Sequence, residues 1–138
     1  HNHFHQGNLL LRATGANQIP VIIDWQLTAY AGATNDLAKF MMTTVPFEIS
    51  AEYELALVRH YVSRLQALEV VGYSFDECFR DYRRAQVMIF GNYAISSVER
   101  SSDGRQTYPL GELIGDSTRR VVKALSLVDP NEFSAVLP

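Results

Sequence analysis

Two short apolar runs open the chain, Asn8 to Arg12 and Ile19 to Ile23, with Ala13-Thr14-Gly15-Ala16-Asn17-Gln18 between them. Glycine and asparagine in the intervening stretch favour a reversal, so the pattern predicts a β-hairpin. The second run, Ile19-Pro20-Val21-Ile22-Ile23, is apolar without alternation, which predicts a strand covered on both faces. Pro20 has no N–H to give to a ladder and belongs at a sheet edge or a strand start. After a loop through Gly32, Asn35 is suited to cap a helix through Asp36-Leu37-Ala38-Lys39-Phe40-Met41-Met42, whose first turn carries the acid that a helix N-terminus favours. Pro46 closes that segment.

From there the period is helical. Ser50 stands where it can cap a long helix in which Leu55, Val58, Tyr61, Val62, Leu65 and Leu68 recur at helical spacing, the pattern of one buried stripe, and Gly72 ends it. Ser74-Phe75-Asp76-Glu77 has the form of a capping box, in which serine and glutamate satisfy each other's free backbone donors, and predicts a helix from about Phe75 to Val98. Ser101-Ser102-Asp103-Gly104 reads as a turn, and a further helix takes much of Leu110 to Leu127. Asp129-Pro130-Asn131-Glu132 joins a cap to a proline at the first helical position and predicts a short last helix. No internal repeat or low-complexity segment interrupts this order.

Composition narrows the class. With 138 residues, 47% apolar and 20% charged, the chain can supply one hydrophobic core, hence one domain or part of one. Twelve basic against 15 acidic residues leave a net charge of −3, which argues against general attraction to nucleic acid or anionic lipid. The pairs Arg83-Arg84 and Arg119-Arg120 read as solvated helix faces. The single cysteine, Cys78, cannot close an internal disulfide, and no cysteine pair suggests zinc. No apolar run approaches the roughly 20 residues that cross a bilayer, and no signal-peptide pattern is present. A reducing, cytoplasmic setting is therefore expected. The oligomeric state is not legible.

The residues able to do chemistry crowd into the beginning: His1-Asn2-His3-Phe4-His5-Gln6-Gly7-Asn8, then Ile23-Asp24-Trp25-Gln26, then Gly32 and Asp36-Leu37-Ala38. A chain that opens on such a motif without a methionine reads as a piece of a longer one. Order and spacing resemble the aminoglycoside phosphotransferase, choline kinase and ecdysteroid-kinase-like family, whose pattern is His-Gly-Asp-x-His-x-x-Asn, a strand, Ile-Asp-Trp, and a glycine followed by Asp-Leu-Ala. The stretch from Gly72-Tyr73-Ser74 to Asp81-Tyr82-Arg83 also resembles the ecdysteroid-kinase-like branch. The resemblance implies an α+β, protein-kinase-like fold, of which residues 1–138 are the carboxy-terminal part of the large lobe: a catalytic-loop β-hairpin packed on several α-helices. The small lobe, with its glycine-rich loop and phosphate-binding lysine, would lie outside this sequence, so the piece alone is expected to be inactive.

The resemblance further implies an ATP-dependent transfer of phosphate to an alcohol group of a small molecule. That chemistry needs Mg²⁺ to neutralise phosphate charge, and Mg²⁺ prefers hard oxygen ligands. Asn8 offers a neutral carbonyl oxygen and Asp24 a full negative charge, and facing ends of one hairpin would bring them together. By resemblance both are Mg²⁺ and ATP-cofactor ligands. His1, His5 and Asp36 would support the catalytic loop, Asp36 through backbone hydrogen bonds; a structural role suits both histidines. Trp25 packs near Asp24 or in the core. Asp81 and Arg83 could reach a substrate, although an ion pair on a helix face suits them better.

The catalytic position departs from the pattern. Where the family has the aspartate that accepts the substrate proton, this chain has His3, and the glycine before it is Asn2. Three readings stay open: an inactive homologue serving as a binding or regulatory protein, an active enzyme with an unusual base, or an error near the start. The dependence of phosphoryl transfer on position and charge favours the first and third over the second. Adjacent His1-Asn2-His3 also spells the letters of a nuclease motif, but that motif names residues scattered over a ββα unit. Alternate histidines could bind zinc, yet no carboxylate or cysteine cluster supports it.

Overall fold

The hairpin forms because its turn can be made by two residues. In the computed structural model, which describes residues 1–102, 118–123 and 125–126, strands β1 (Leu9–Thr14) and β2 (Asn17–Ile22) pair antiparallel from Leu9↔Ile22 to Thr14↔Asn17. Gly15 takes φ +63° at the turn, where a side chain would be strained. The bond from Ile23 N–H to the Asn8 carbonyl at 3.0 Å sets the alternation of bonded pairs. Pro20, opposite Leu11, falls on the alternate pair, so its nitrogen faces the outer edge and no ladder bond is lost.

Cover on both faces is not found. Leu10 is 52% and Leu11 64% exposed, and Ile19 and Ile22 are exposed as well, so the described residues leave both faces of the hairpin open. Hydrophobicity reports what a strand can bury, while the packing partner is a property of the tertiary arrangement.

Helices α1 (Thr34–Thr44), α2 (Phe47–Ala67) and α3 (Phe75–Ser102) follow, and residues 118–123 are helical. The chain is thus α+β. Three helix starts test the capping expectations. The capping box at α3 is formed: Ser74 N–H and Oγ donate to Glu77 Oε2 at 2.8 and 2.6 Å, and Glu77 N–H returns to Ser74 Oγ at 3.2 Å. The other two differ. Helix α1 begins a residue before Asn35, with Ala33 at its cap, and α2 begins at Phe47 behind Pro46. Ser50 therefore lies inside α2, buried, its hydroxyl donating to the Phe47 carbonyl at 2.7 Å. Pro46 at the cap has a fixed φ but no side-chain acceptor, so α2 starts without a side-chain cap hydrogen bond.

The core is a three-helix cluster of Ala38 and Met41 from α1, Val58 and Val62 from α2, and Cys78, Tyr82 and Ala85 from α3. The expected stripe of α2 holds at its centre and fails at its ends: Val58 and Val62 are buried and Tyr61 and Leu65 half-buried, whereas Leu55 and Leu68 are exposed and Glu54 is buried. Glu54 can be there because partners surround it. Gln86 Nε2 donates to it at 3.1 Å, Lys123 Nζ lies 3.7 Å away and Arg120 Nη1 4.0 Å away. Arg120 is consequently buried and not part of a solvated face; its Nη2 also donates to the Val45 carbonyl. Arg119 does keep the solvated position, beside Glu48 at 3.6 Å. Helix α2 stops at Ala67, ahead of Gly72, which takes φ +81° in the loop to α3. Helix α3 runs through Ser101 and Ser102 where a turn was expected. Asp103-Gly104, the start of the helix expected from Leu110 and the whole helix expected at Asp129 lie outside the described residues. Among the described residues no helix is long and apolar enough to cross a membrane.

Candidate active site

The hairpin returns Ile23 beside Asn8, and with it brings Asp24 to the loop that precedes β1. The side chains meet: Asn8 Nδ2 lies 3.3 Å from Asp24 Oδ2, and His3 Nδ1 lies 3.0 Å from the same oxygen. Three residues distant in sequence thus share one small volume. Asn8 is buried; His3 and Asp24 are partly exposed.

Hydrogen-bond roles follow from the acceptor. A carboxylate only accepts, so the contact requires a proton on His3 Nδ1 and leaves Nε2 as the acceptor of the neutral ring. The two hydrogens of Asn8 Nδ2 go to the His3 carbonyl at 2.9 Å and to Asp24. With His3 Nδ1 also a donor, its 3.4 Å approach to Asn8 Nδ2 is proximity and not a bond. The Asn8 amide nitrogen is thereby committed to protein, and its oxygen is the atom left to ligate a cation. Asp24 itself sits in the left-handed region, at φ 64° and ψ 58°, and Asn2 at φ 63°. Such backbone outliers in non-glycine residues concentrate where function over-determines the geometry.

A brace surrounds this trio. The His1 ring accepts from His3 N–H at Nδ1, 3.1 Å, and its other nitrogen lies 2.9 Å from the Ile23 carbonyl. With Nδ1 accepting, Nε2 carries the proton and donates to Ile23, so one imidazole ties the His1–His3 segment to the strand end before Asp24. Asp36, in the first turn of α1, accepts from the backbone nitrogens of His1 at 2.9 Å and Asn2 at 2.8 Å. His5 caps the short turn Gln6–Asn8 by accepting from Gly7 N–H at 3.1 Å. Gly7 leaves it room: a Cβ there would meet His5 Cε1 at 3.0 Å and the ring would have to give way. Burial, followed by the charges of His3 and Lys39, holds the His5 imidazole below its usual range, against the pull of Asp24.

Trp25 is not in the core. It is 54% exposed, sets its edge on the His1 ring at 4.7 Å and donates from Nε1 to the Ile22 carbonyl at 2.9 Å, so it packs beside the brace. Asp81 does form a helix-face ion pair, but with Arg84 at 3.5 Å, and it also accepts from the Tyr73 hydroxyl at 2.9 Å. Arg83 lies over the Phe79 ring at 4.2 Å.

Two contacts escaped the motif reading. Lys39 Nζ donates to the Asn2 carbonyl at 3.3 Å, and Thr44 Oγ1 accepts from Gln6 N–H at 3.2 Å. The one available signal was that Lys39 stands three positions after Asp36 and so shares its helix face.

Among the described residues no group of three or more histidines, cysteines, aspartates or glutamates is placed to hold a metal ion. Asn8 and Asp24 form a smaller donor set. Mg²⁺ is commonly held by one or two protein oxygens with substrate phosphates and water filling the rest, and this pair fits that partial donor set.

No curated protein and no solved structure matches the chain. The sequence model of the Ecdysteroid kinase-like family matches residues 1–73, more than half of the chain, and that stretch contains the whole trio, its brace and the start of α1. The chain belongs to the ecdysteroid kinase-like family.

Proposed function

We propose that the chain carries the catalytic loop and metal loop of a kinase-like phosphotransferase that moves phosphate from ATP to a hydroxyl of a small molecule. The observation that carries this is the meeting of His3 and Asn8 on one oxygen of Asp24, at 3.0 and 3.3 Å, in a member of a kinase-like family. Asn8 and Asp24 would hold Mg²⁺, which supplies charge neutralisation of the phosphates when bound. His3, oriented through Nδ1 by Asp24, keeps Nε2 to accept the substrate proton, the role of a general base. His1, His5 and Asp36 support the loop that presents it.

A second reading is favoured by the same contact. The His3 imidazole takes an oxygen of the residue that should grip the metal, and on this reading the protein binds ligand without turnover, in a regulatory role.

Full-length protein separates them. Steady-state phosphorylation is measured across hydroxyl-bearing small molecules with Mg²⁺ and ATP, for the unaltered protein and His3→Asp. Turnover lost on His3→Asp identifies histidine as the working base. A gain of ~10²–10⁴-fold, the usual contribution of a positioned base, identifies a silenced enzyme instead. Binding provides the check on the metal pair: Mg²⁺–ATP is expected to raise the melting temperature, and Asp24→Asn to abolish that rise. A rise undiminished by Asp24→Asn would remove Asp24 from the ligand set.

A further inference from the structure

Two successive peptide planes in the catalytic-loop segment are pinned by α1. The plane that contains Asn2 N–H is held by Asp36, whose Oδ1 accepts that hydrogen at 2.8 Å. The next plane contains the Asn2 carbonyl and His3 N–H. Lys39 Nζ donates to its oxygen at 3.3 Å, and His1 Nδ1 accepts its hydrogen at 3.1 Å. Asp36 therefore restrains one side of the Asn2 α-carbon, and Lys39 with His1 the other, so both backbone torsions of Asn2 are restrained together. Asn2 is the residue at φ 63°, a conformation in which glycine is at ease and asparagine less so.

We infer that Lys39 is a positioning residue for His3, fixing the peptide plane from which the His3 side chain reaches Asp24. The inference rests on the reading of His3 as the catalytic group, although its structural half does not. Rotating the Asn2–His3 peptide would turn its carbonyl from Lys39 and its N–H from His1 in one motion, and would loosen the backbone from which the His3 ring approaches Asp24. A lysine donor on the carbonyl opposes that flip. Lys39 is partly buried; burial lowers its proton affinity from the usual lysine value, and the neighbouring Asp36 carboxylate acts against that to keep the ammonium charged. Asp36 and Lys39, one turn apart on α1, grip neighbouring planes with opposite charges because one must accept an N–H and the other must donate to a carbonyl.

The test is amide hydrogen exchange at His3, followed by NMR in the full-length protein, alongside its kinetics. Lys39→Met is expected to accelerate His3 exchange at least about tenfold, because the flipped peptide frees that N–H, and Lys39→Arg to restore protection. Adding Asn2→Gly to Lys39→Met should not restore it, since glycine tolerates the flipped form equally well. In the kinetics, kcat should fall by about 10- to 100-fold with KM for ATP unchanged, the signature of a displaced group and not of lost binding. Unaltered His3 exchange in folded Lys39→Met overturns the inference whatever the protein catalyses. Should Lys39→Met fail to fold, Lys39→Arg carries the test: protection within about twofold of the parent supports the donor role, and a larger loss overturns it. Absence of turnover by the unaltered protein would remove the kinase reading alone, leaving the exchange result to decide Lys39.

Discussion

His5 illustrates how a single side chain in the loop couples fold to pH. Its imidazole is held below the usual value, first by burial and then by the charges of His3 and Lys39. A histidine with a lowered folded-state value binds protons more readily when unfolded. Stability contributed by neutral His5 is thus fully present above the ordinary value near 6.5 and is lost as pH falls toward the folded one. Urea midpoints between pH 8 and 5 should therefore fall less steeply for His5→Gln than for the parent; parallel slopes would show that His5 is not linked to folding. Beneath it, Gly7→Ala should destabilise by about 1–3 kcal/mol, because the new methyl would meet the ring at 3.0 Å and something must shift. An unchanged unfolding free energy would mean that the ring moves aside freely. At this scale the motif was informative in a particular way. His1, His5, Asn8, Asp24 and Asp36 could be picked out as a group through their resemblance to a family motif, yet the shared use of Asp24 Oδ2 by His3 and Asn8 is a matter of angles that spacing does not encode.

Helix starts show which local signals survive packing. The box at Ser74 and Glu77 is formed as its letters suggest, since both partners lie within one turn and need no help from elsewhere. Ser74→Ala should cost about 1 kcal/mol in chemical denaturation, within the 0.5–2 kcal/mol range of lost caps. A loss below the error of the measurement would mean that tertiary contacts alone hold the start of α3. Asn35 and Ser50 carry the same chemistry but do not cap, because α1 and α2 each begin earlier. The departure at the start of the α2 stripe has a similar origin: Glu54 is buried because Gln86, Arg120 and Lys123, all remote in sequence, converge on it. Inside the helical cluster, Met41 is 1% exposed, and Met41→Ala should destabilise by about 2–5 kcal/mol through lost burial and the cavity left behind.

Over the whole molecule, the apolar side chains divide into two sets. A set drawn from the three helices is buried together, whereas most of those on the hairpin remain open among the described residues. Leu11 is 64% exposed, so Leu11→Lys in this chain should change stability by no more than about 0.5 kcal/mol. A large loss would place an unrecognised partner over the hairpin. The contrast also explains the functional geometry, since the hairpin serves mainly to return the chain so that Asp24 faces His3 and Asn8, while α1 joins the two sets. Its Ala38 and Met41 enter the core, and its Asp36 and Lys39 turn to the loop.

Elements whose causes are local were legible in the sequence: a hairpin reversing within Ala13–Gln18, the boxed start of α3, a helical period after Ser50, and, through resemblance to a family motif, a cluster of oxygen and imidazole groups. Tertiary structure alone decided what was covered and what was joined. It left β2 open, buried Glu54 and Arg120, set His3 against Asp24 and brought Lys39 to the Asn2 carbonyl. The physical reason is common to all four. A turn or a cap is settled by torsions and hydrogen bonds within a few residues, whereas burial and side-chain partnership depend on which distant surfaces meet, and one-dimensional spacing carries that only where a motif already encodes the fold.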